Sequence, residues 1–152
     1  KYQNQREKYL TVTKQAYRYC CTRATMARYY RNMAFYYLSG YEPETARACY
    51  QYSNVYYHTE NADSELKYIS EAIQQETPQT DIRAIQKLFD EKQIEPGPDS
   101  QTIGIVYKVG EILLKDGDYK LAKDCYSIVY DITQDASAEK LLNELEAAIA
   151  GN

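Results

Sequence analysis

Residues 103–134 read IGIVYKVGEILLKDGDYKLAKDCYSIVYDITQ, and this stretch indicates the fold most clearly. Its apolar residues return every three or four positions, break at Asp116-Gly117-Asp118 and then resume with the same period. The first stripe consists of Ile105, Val106, Val109 and Leu113, and the second of Tyr119, Ala122, Tyr126, Val129 and Ile132. This periodicity predicts two amphipathic helices joined by a tight turn.

The same arrangement returns at an interval of 38 residues, which is the spacing from Ala34 to Ala72 and from Ala72 to Gly110. Twelve residues after each of these small residues comes an alanine, and four residues after each alanine comes a large apolar residue. The alanines are Ala46, Ala84 and Ala122, and the large residues are Tyr50, Leu88 and Tyr126. A small residue in mid-helix lets a neighbouring helix approach closely, and the large side chain fills the space beside it. The interval therefore predicts stacked antiparallel helix hairpins.

These marks resemble the tetratricopeptide repeat, in which an apolar–small pair is followed by an alanine, an aromatic residue and a proline. The third unit matches at Val109-Gly110, Gly117-Asp118-Tyr119, Ala122 and Tyr126. The first unit matches at Met33-Ala34, Ala46 and Tyr50, and the second at Tyr68, Ala72, Ala84, Leu88 and Pro96. The chain departs from the motif because its interval is 38 residues, against roughly 34 in the family. In addition, Glu71 replaces an apolar residue, and His58 and Gln134 stand where two closing prolines would be.

The resemblance covers residues 27–134 and implies an all-α, right-handed α-solenoid of about three antiparallel hairpins. We expect one domain over residues 1–152, with repeats at 27–58, 64–96 and 103–134. A helical stripe in residues 1–25 either ends near residues 21–25 or continues into the first repeat. A capping helix is expected at 137–150, with Ser137 as its N-cap, and Thr80 or Asp81 is expected to cap the second helix of the middle repeat. Pro43 suits a first helical turn, and Thr77-Pro78 is expected to end the helix before it.

Composition and charge limit the class of protein. The 152 residues are enough for one domain with its own core, and 18 of them are tyrosines. No apolar run approaches the roughly 18 residues that a membrane-spanning helix needs. Residues 1–33 contain eight basic residues and one acidic residue, whereas the rest of the chain is strongly acidic. Such a dipolar chain can steer charged partners or stack head to tail with itself.

The sequence contains few residue patterns that are typical of catalytic, metal-binding or phosphate-binding sites. Cys20, Cys21, Cys49 and Cys125 form no CxxC pair, and His58 is the single histidine, so neither a zinc site nor a thiol enzyme is predicted. The carboxylates at Asp116/Asp118 and at Glu60/Asp63/Glu65 fall in turns or first helical turns, where they favour capping. No glycine-rich loop is present to bind phosphate. We therefore expect a cytoplasmic protein with reduced cysteines that is not an enzyme and has no catalytic, cofactor-binding or metal-binding residues.

The basic N-terminal region is open to several interpretations. Its lysines and arginines alternate with tyrosines, and aromatic rings among cations can stack on nucleic-acid bases. An acidic protein or an anionic membrane surface would suit the same charges. The simplest interpretation, which we favour, is a helix with a solvated basic face and tyrosines in the core.

The resemblance also nominates a binding groove, because the first helix of each hairpin lines the concave face in the family. The nominated residues are Arg28, Arg31, Phe35, Leu38, Ile73, Tyr107, Lys108, Glu111 and Leu114. Arg31 and Lys108 occupy two positions of the family's carboxylate clamp, but Phe35, Ser70 and Gly104 occupy others. A chaperone tail is therefore not the expected ligand, and an apolar or aromatic peptide is preferred. Alternatively, these residues pack against the N-terminal helix.

The function expected from the sequence is a protein-interaction scaffold that binds a peptide or protein partner. The alternatives are a nucleic-acid-binding or regulatory module that uses the basic N-terminal helix, and a structural protein that self-assembles through oppositely charged ends. Nucleic acid is not the expected partner.

Overall fold

The computed structural model describes residues 2–17, 20, 22–95 and 100–151, without the side chains of residues 100–102 and 132. Within these residues the chain forms eight α-helices and no strand, which confirms the all-α prediction. The helices are α1 (Tyr2–Ala16), α2 (Arg23–Ser39), α3 (Pro43–Tyr56), α4 (Glu60–Ile73), α5 (Ile82–Lys92), α6 (Ser100–Lys115), α7 (Tyr119–Thr133) and α8 (Ala136–Ala150). The first helix ends at Ala16 and α2 begins at Arg23, so the N-terminal stripe does not continue into the first repeat as one helix.

The described residues belong to two compact units. One lies within Lys1–Arg18 and Ala24–Pro96, and the other within Tyr19–Arg23 and Gly97–Asn152. The single domain expected over residues 1–152, with its repeat boundaries, stays a prediction, as does the continuous solenoid.

The core of the first unit is a cluster of tyrosine rings centred on Tyr30. The ring of Tyr30 lies 4.8 Å from that of Tyr52, 5.8 Å from that of Tyr56 and 5.6 Å from that of Phe89, measured between centroids. Its hydroxyl donates to the backbone oxygen of Glu95 at 2.6 Å, so the ring is buried while its polar group is satisfied. The ring contacts hold α2, α3 and α5 together, and α3 also packs against α4.

The second unit contains α6, α7 and α8, with α7 packed against both other helices. Val106, Cys125, Val129 and Ala138 form one buried cluster of this unit. Gly110 of α6 lies directly against the ring of Tyr126, since a Cβ built at Gly110 would stand 2.8 Å from the ring carbon Cζ. The expected pairing of a small residue with a large ring is therefore present in this hairpin.

The middle repeat does not follow the expected register. Ala34, Ala46, Gly110 and Ala122 are buried, but the corresponding Ala72 and Ala84 are exposed. The residues that α4 and α5 bury are instead Ala62, Ile69, Ile85 and Phe89. The prediction that Ala72 and Ala84 are packing notches is wrong. The physical reason is the orientation of α5, whose Phe89 packs on the rings of Tyr30 and Tyr52 and leaves Ala84 facing outward.

Helix termini agree in part with the sequence. Pro43 stands in the first turn of α3, and the side chain of Asp81 accepts from the Ala84 amide, as expected. The N-cap of α8 is Asp135 rather than Ser137, because the Asp135 carboxylate accepts from the Ser137 amide at 3.0 Å. Helix α4 ends before Thr77-Pro78, since Gln74 already adopts a left-handed conformation with φ of 57°.

Candidate functional site

The candidate site is a cleft of about 470 Å³ in the first unit, called here the α1–α4 cleft. Four helices contribute to it: Tyr9 comes from α1, Tyr50 from α3, and Asn61 and Glu65 from α4. The remaining lining residues come from α2 and are Arg31, Asn32, Phe35 and Leu38. Its volume falls within the range of roughly 300–1,000 Å³ that is usual for ligand sites.

Helical geometry explains why α2 contributes so much of this lining. Arg31, Phe35 and Leu38 are separated by four and three residues, so they share one face of the helix. A neighbouring face of α2 carries Tyr30, Met33, Ala34 and Tyr37, which are buried. Burial of that face fixes the rotation of α2 and directs the other face toward the cleft.

The apolar wall of the cleft consists of two aromatic rings. The centroids of Tyr9 and Phe35 lie 5.6 Å apart, with a tilt of 59° between the ring planes. Phe35 nevertheless keeps 56% of its surface exposed. A large apolar side chain that is fixed by one contact and still open to solvent offers area for a ligand to bury.

The polar side of the cleft carries an unsatisfied cation. The Nη1 atom of Arg31 is buried and has no hydrogen-bond partner among the described residues. Loss of hydration, followed by the nearby positive charge of Arg28, lowers the pKa of Arg31. Buried donors in folded proteins are almost always paired, so an acceptor from a ligand would satisfy this nitrogen.

Tyr50 lies at the base of the cleft. Burial, and then the charges of Glu65 and Tyr9, raise the pKa of Tyr50 to about 12, while Arg31 acts in the opposite direction. The Tyr50 hydroxyl therefore remains protonated at neutral pH and can donate or accept a hydrogen bond. The cleft thus presents a cation, a neutral hydroxyl and the carboxylate of Glu65 beside an aromatic wall.

The structure brings together three of the nine residues that the sequence nominated for a groove, namely Arg31, Phe35 and Leu38. Arg28 is exposed on α2 and Ile73 is half-buried at the end of α4, and neither lines the cleft.

The other four nominated residues, Tyr107, Lys108, Glu111 and Leu114, belong to α6 in the second unit. Lys108 and Glu111 are exposed, whereas Tyr107 and Leu114 pack against the core cluster around Tyr126.

Sequence reasoning missed Tyr9, Asn32, Tyr50, Asn61 and Glu65. The spacing of four between Asn61 and Glu65 indicates one polar helix face, but only the tertiary structure shows that this face of α4 lines the cleft. The sequence pattern predicts a core position for Tyr50, and the side chain is 4% exposed. Its role in the cleft depends on its position beside Arg31, which no local pattern indicates.

Two further clefts lie among the described residues, and neither has an aromatic ring in its lining. One, of about 450 Å³, contains Arg47 together with Gln51, whose amide donates to the Pro78 oxygen at 2.7 Å. The buried Nη1 of Arg47 also has no partner among the described residues, but the carboxylates of Glu44 and Asp81 line the same cleft. The other, of about 410 Å³, lies in the second unit beside Arg23 and Lys123.

The basic N-terminal region is mostly engaged within the protein. Tyr17, Tyr29 and Tyr30 are buried, so their rings are not available for stacking on bases. The guanidinium of Arg23 donates to Ser127 at 3.1 Å and pairs with Asp131. Arg18, another arginine of this region, lies outside the described residues.

Several groups that the sequence offers for chemistry are buried or make local contacts. Burial raises the pKa of the Cys49 thiol, which disfavours the reactive thiolate. Asp118 caps α7, and Asp63 pairs with His58 at 2.6 Å on the surface. In the described ranges no cluster of His, Cys, Asp and Glu has a geometry that could hold a metal ion. Likewise, none of the described helices combines the length and apolar character needed to cross a membrane.

Comparison of this chain with protein-family models, with curated proteins and with solved structures finds no match.

Proposed function

We propose that this protein is an interaction module that binds a segment of a partner protein in the α1–α4 cleft. The observation that carries the proposal is the combination, in one cleft, of the exposed ring of Phe35 and the unsatisfied buried donor of Arg31. Such a pairing of apolar area with a directional polar group is typical of ligand-binding sites. The proposal includes a divergent tetratricopeptide-like origin for the α2–α3 and α6–α7 hairpins, supported by the buried small residues Ala34 and Gly110.

The rings of Tyr9 and Phe35 would supply most of the binding energy. Aromatic residues are over-represented among the few side chains that dominate protein interfaces, and their truncation usually costs more than about 1 kcal/mol. Leu38 extends this apolar surface, while Asn32 and Asn61 offer amide groups to a peptide backbone.

The experiment is a selection of binders from a randomised dodecapeptide library against the full chain, followed by measurement of their affinities. Replacement of Phe35 by alanine is expected to weaken the selected peptides about tenfold or more, since about 1.4 kcal/mol corresponds to a factor of ten. The matched control is Tyr57→Ala, because Tyr57 is 54% exposed and does not line the cleft. Equal loss of affinity in both variants, or no effect of Phe35→Ala, would show that the cleft is not the binding site.

The cytoplasmic location and the absence of enzymatic activity stay predictions. The nucleic-acid alternative has less support, because three tyrosines of the basic region are buried. Self-assembly through oppositely charged ends also stays a prediction, and sedimentation at low and high salt would detect it.

A further inference from the structure

We infer that the partner segment carries an internal acidic side chain next to an aromatic or aliphatic one, and that its carboxylate pairs with Arg31. This inference rests on the proposed function, since it specifies the ligand of the same cleft. It commits to an aspartate or glutamate within a peptide, with no requirement for a free C-terminus.

The first step of the argument is the state of Arg31. Its Nη1 atom is buried and lacks a hydrogen-bond partner among the described residues, although it faces a cleft lined by other polar groups. An unpaired buried donor costs free energy, and a charged donor costs more than a neutral one. A ligand acceptor placed at this atom would recover that cost on binding.

The second step is the charge around the site. Arg28 is close enough to Arg31 to disfavour its positive charge, so the two like charges are incompletely compensated. A negatively charged ligand group would relieve this repulsion. A planar carboxylate also matches the fork of a guanidinium and can accept two parallel hydrogen bonds.

The third step distinguishes a carboxylate from a phosphate. Glu65 lines the same cleft and acts on Tyr50 as a negative charge. Glu65 reduces the net positive charge of the cleft, and a dianionic phosphate costs much more to dehydrate than a carboxylate with a single charge, so the carboxylate is the better match. The neutral hydroxyl of Tyr50 is a second donor for the same carboxylate, since tyrosine is protonated at neutral pH and burial raises the pKa of Tyr50 further.

The fourth step places the apolar neighbour. Arg31 and Phe35 are separated by four residues on α2 and so lie one helical turn apart. A ligand carboxylate at Arg31 therefore leaves its adjacent side chains over the rings of Phe35 and Tyr9, which are 5.6 Å apart. An acidic residue next to a Phe, Tyr, Leu or Met satisfies both contacts.

The test uses the full chain and the peptides selected as described above, resynthesised with acetylated N-termini and amidated C-termini. The expected result is a shared acidic residue near an apolar one, with affinity falling about tenfold or more when that residue is replaced by its amide. Arg31→Gln should cause the same loss, and Arg31→Lys a smaller one, since lysine keeps the charge without the paired donors.

Arg47→Gln is the matched control, because Arg47 has the same buried and unpartnered Nη1 atom in a different cleft. It should leave affinity within about twofold of the unmodified chain. Far-UV circular dichroism and thermal melting of each variant verify that Arg31→Gln does not act by unfolding α2.

The outcomes separate this inference from the function on which it rests. Peptides that lose affinity with Phe35→Ala but not with Arg31→Gln, or that bind without an acidic residue, would overturn the inference and leave the proposed function standing. Peptides that bind only with a free C-terminal carboxylate would also overturn it. If no selected peptide depends on Phe35, both fail, and displacement of peptides by a twenty-residue thymidine oligonucleotide would indicate a nucleic-acid ligand instead.

Discussion

The contact between Gly110 and Tyr126 provides the sharpest test of the packing in the second unit. A Cβ at residue 110 would lie 2.8 Å from Cζ of Tyr126, 3.1 Å from its hydroxyl oxygen and 3.2 Å from Cε1. Carbon atoms in favourable contact are about 3.5–4.0 Å apart, so the ring would have to move by close to 1 Å. Tyr126 is 1% exposed and lies in a cluster with Ala122 and Leu145, which leaves little room for that movement.

The expected change in the free energy of unfolding for Gly110→Ala follows from two opposing effects. Replacing glycine by alanine within a helix stabilises it by about 1 kcal/mol, whereas overpacking a filled core costs about 1–3 kcal/mol. We therefore expect Gly110→Ala to lower the free energy of unfolding by about 1 kcal/mol. Gly104 is the matched control on the same helix, since it is exposed and a Cβ there would meet nothing within 4 Å. Gly104→Ala should instead raise the free energy of unfolding by about 0.5–1 kcal/mol.

Urea denaturation followed by far-UV circular dichroism measures both variants, and hydrogen exchange of α6 and α7 amides shows whether the change is local. The two variants should differ by about 1.5–2 kcal/mol, with opposite signs relative to the unmodified chain. Adding Tyr126→Leu to Gly110→Ala should remove part of the cost, because the shorter side chain vacates the space of the ring tip. If Gly110→Ala stabilised the protein as much as Gly104→Ala, the ring would not occupy this position, and the packing argument would be refuted.

Two further predictions concern pH and capping. Burial raises the pKa of Tyr30 well above its usual value and that of Tyr50 to about 12, so their protonated forms are favoured in the folded state. Stability from these groups should be complete below about pH 10 and fall above it by about 1.4 kcal/mol per pH unit and per tyrosine until the folded pKa is reached. Phenolate absorbance at 295 nm and helical ellipticity should therefore change together in an alkaline titration, and full ionisation of tyrosine with intact helices would contradict the buried cluster. Asp135→Ala should lower the free energy of unfolding by about 1 kcal/mol and Ser137→Ala by much less, because the Asp135 side chain caps α8. Chemical denaturation of the two variants measures both changes. A larger loss for Ser137→Ala would show that Ser137 is the cap.

Local sequence patterns predicted where the helices lie, but they predicted the buried side of each helix correctly only in some cases. The helices of the third hairpin have regular apolar stripes, and the turn at Gly117 adopts φ of +81°, which favours glycine. The middle hairpin has weaker stripes, and the interval of 38 residues assigned Ala72 and Ala84 to buried positions that they do not occupy. A repeat interval shows which positions carry similar residue types. The face that a helix buries depends on the helices that pack against it.

The candidate site was predictable only in part for the same reason. Arg31, Phe35 and Leu38 share a face of α2, and helical spacing alone groups them. The lining residues Tyr9 and Glu65 come from α1 and α4, and nothing in the local sequence around either residue indicates that it lines a cleft with α2. The unsatisfied donor of Arg31 is likewise a property of the surroundings, because exposure and partners depend on the whole first unit.

The amino-acid sequence by itself determined that this chain is helical, because the spacing of apolar residues and the placement of glycine, proline and capping carboxylates act within a few residues along the chain. Only the tertiary structure decided which small residues are notches, which rings form the core and which polar groups lack partners. Those outcomes depend on contacts between residues far apart in sequence, such as Tyr30 with Phe89 and Gly110 with Tyr126, where packing and burial set the free energy.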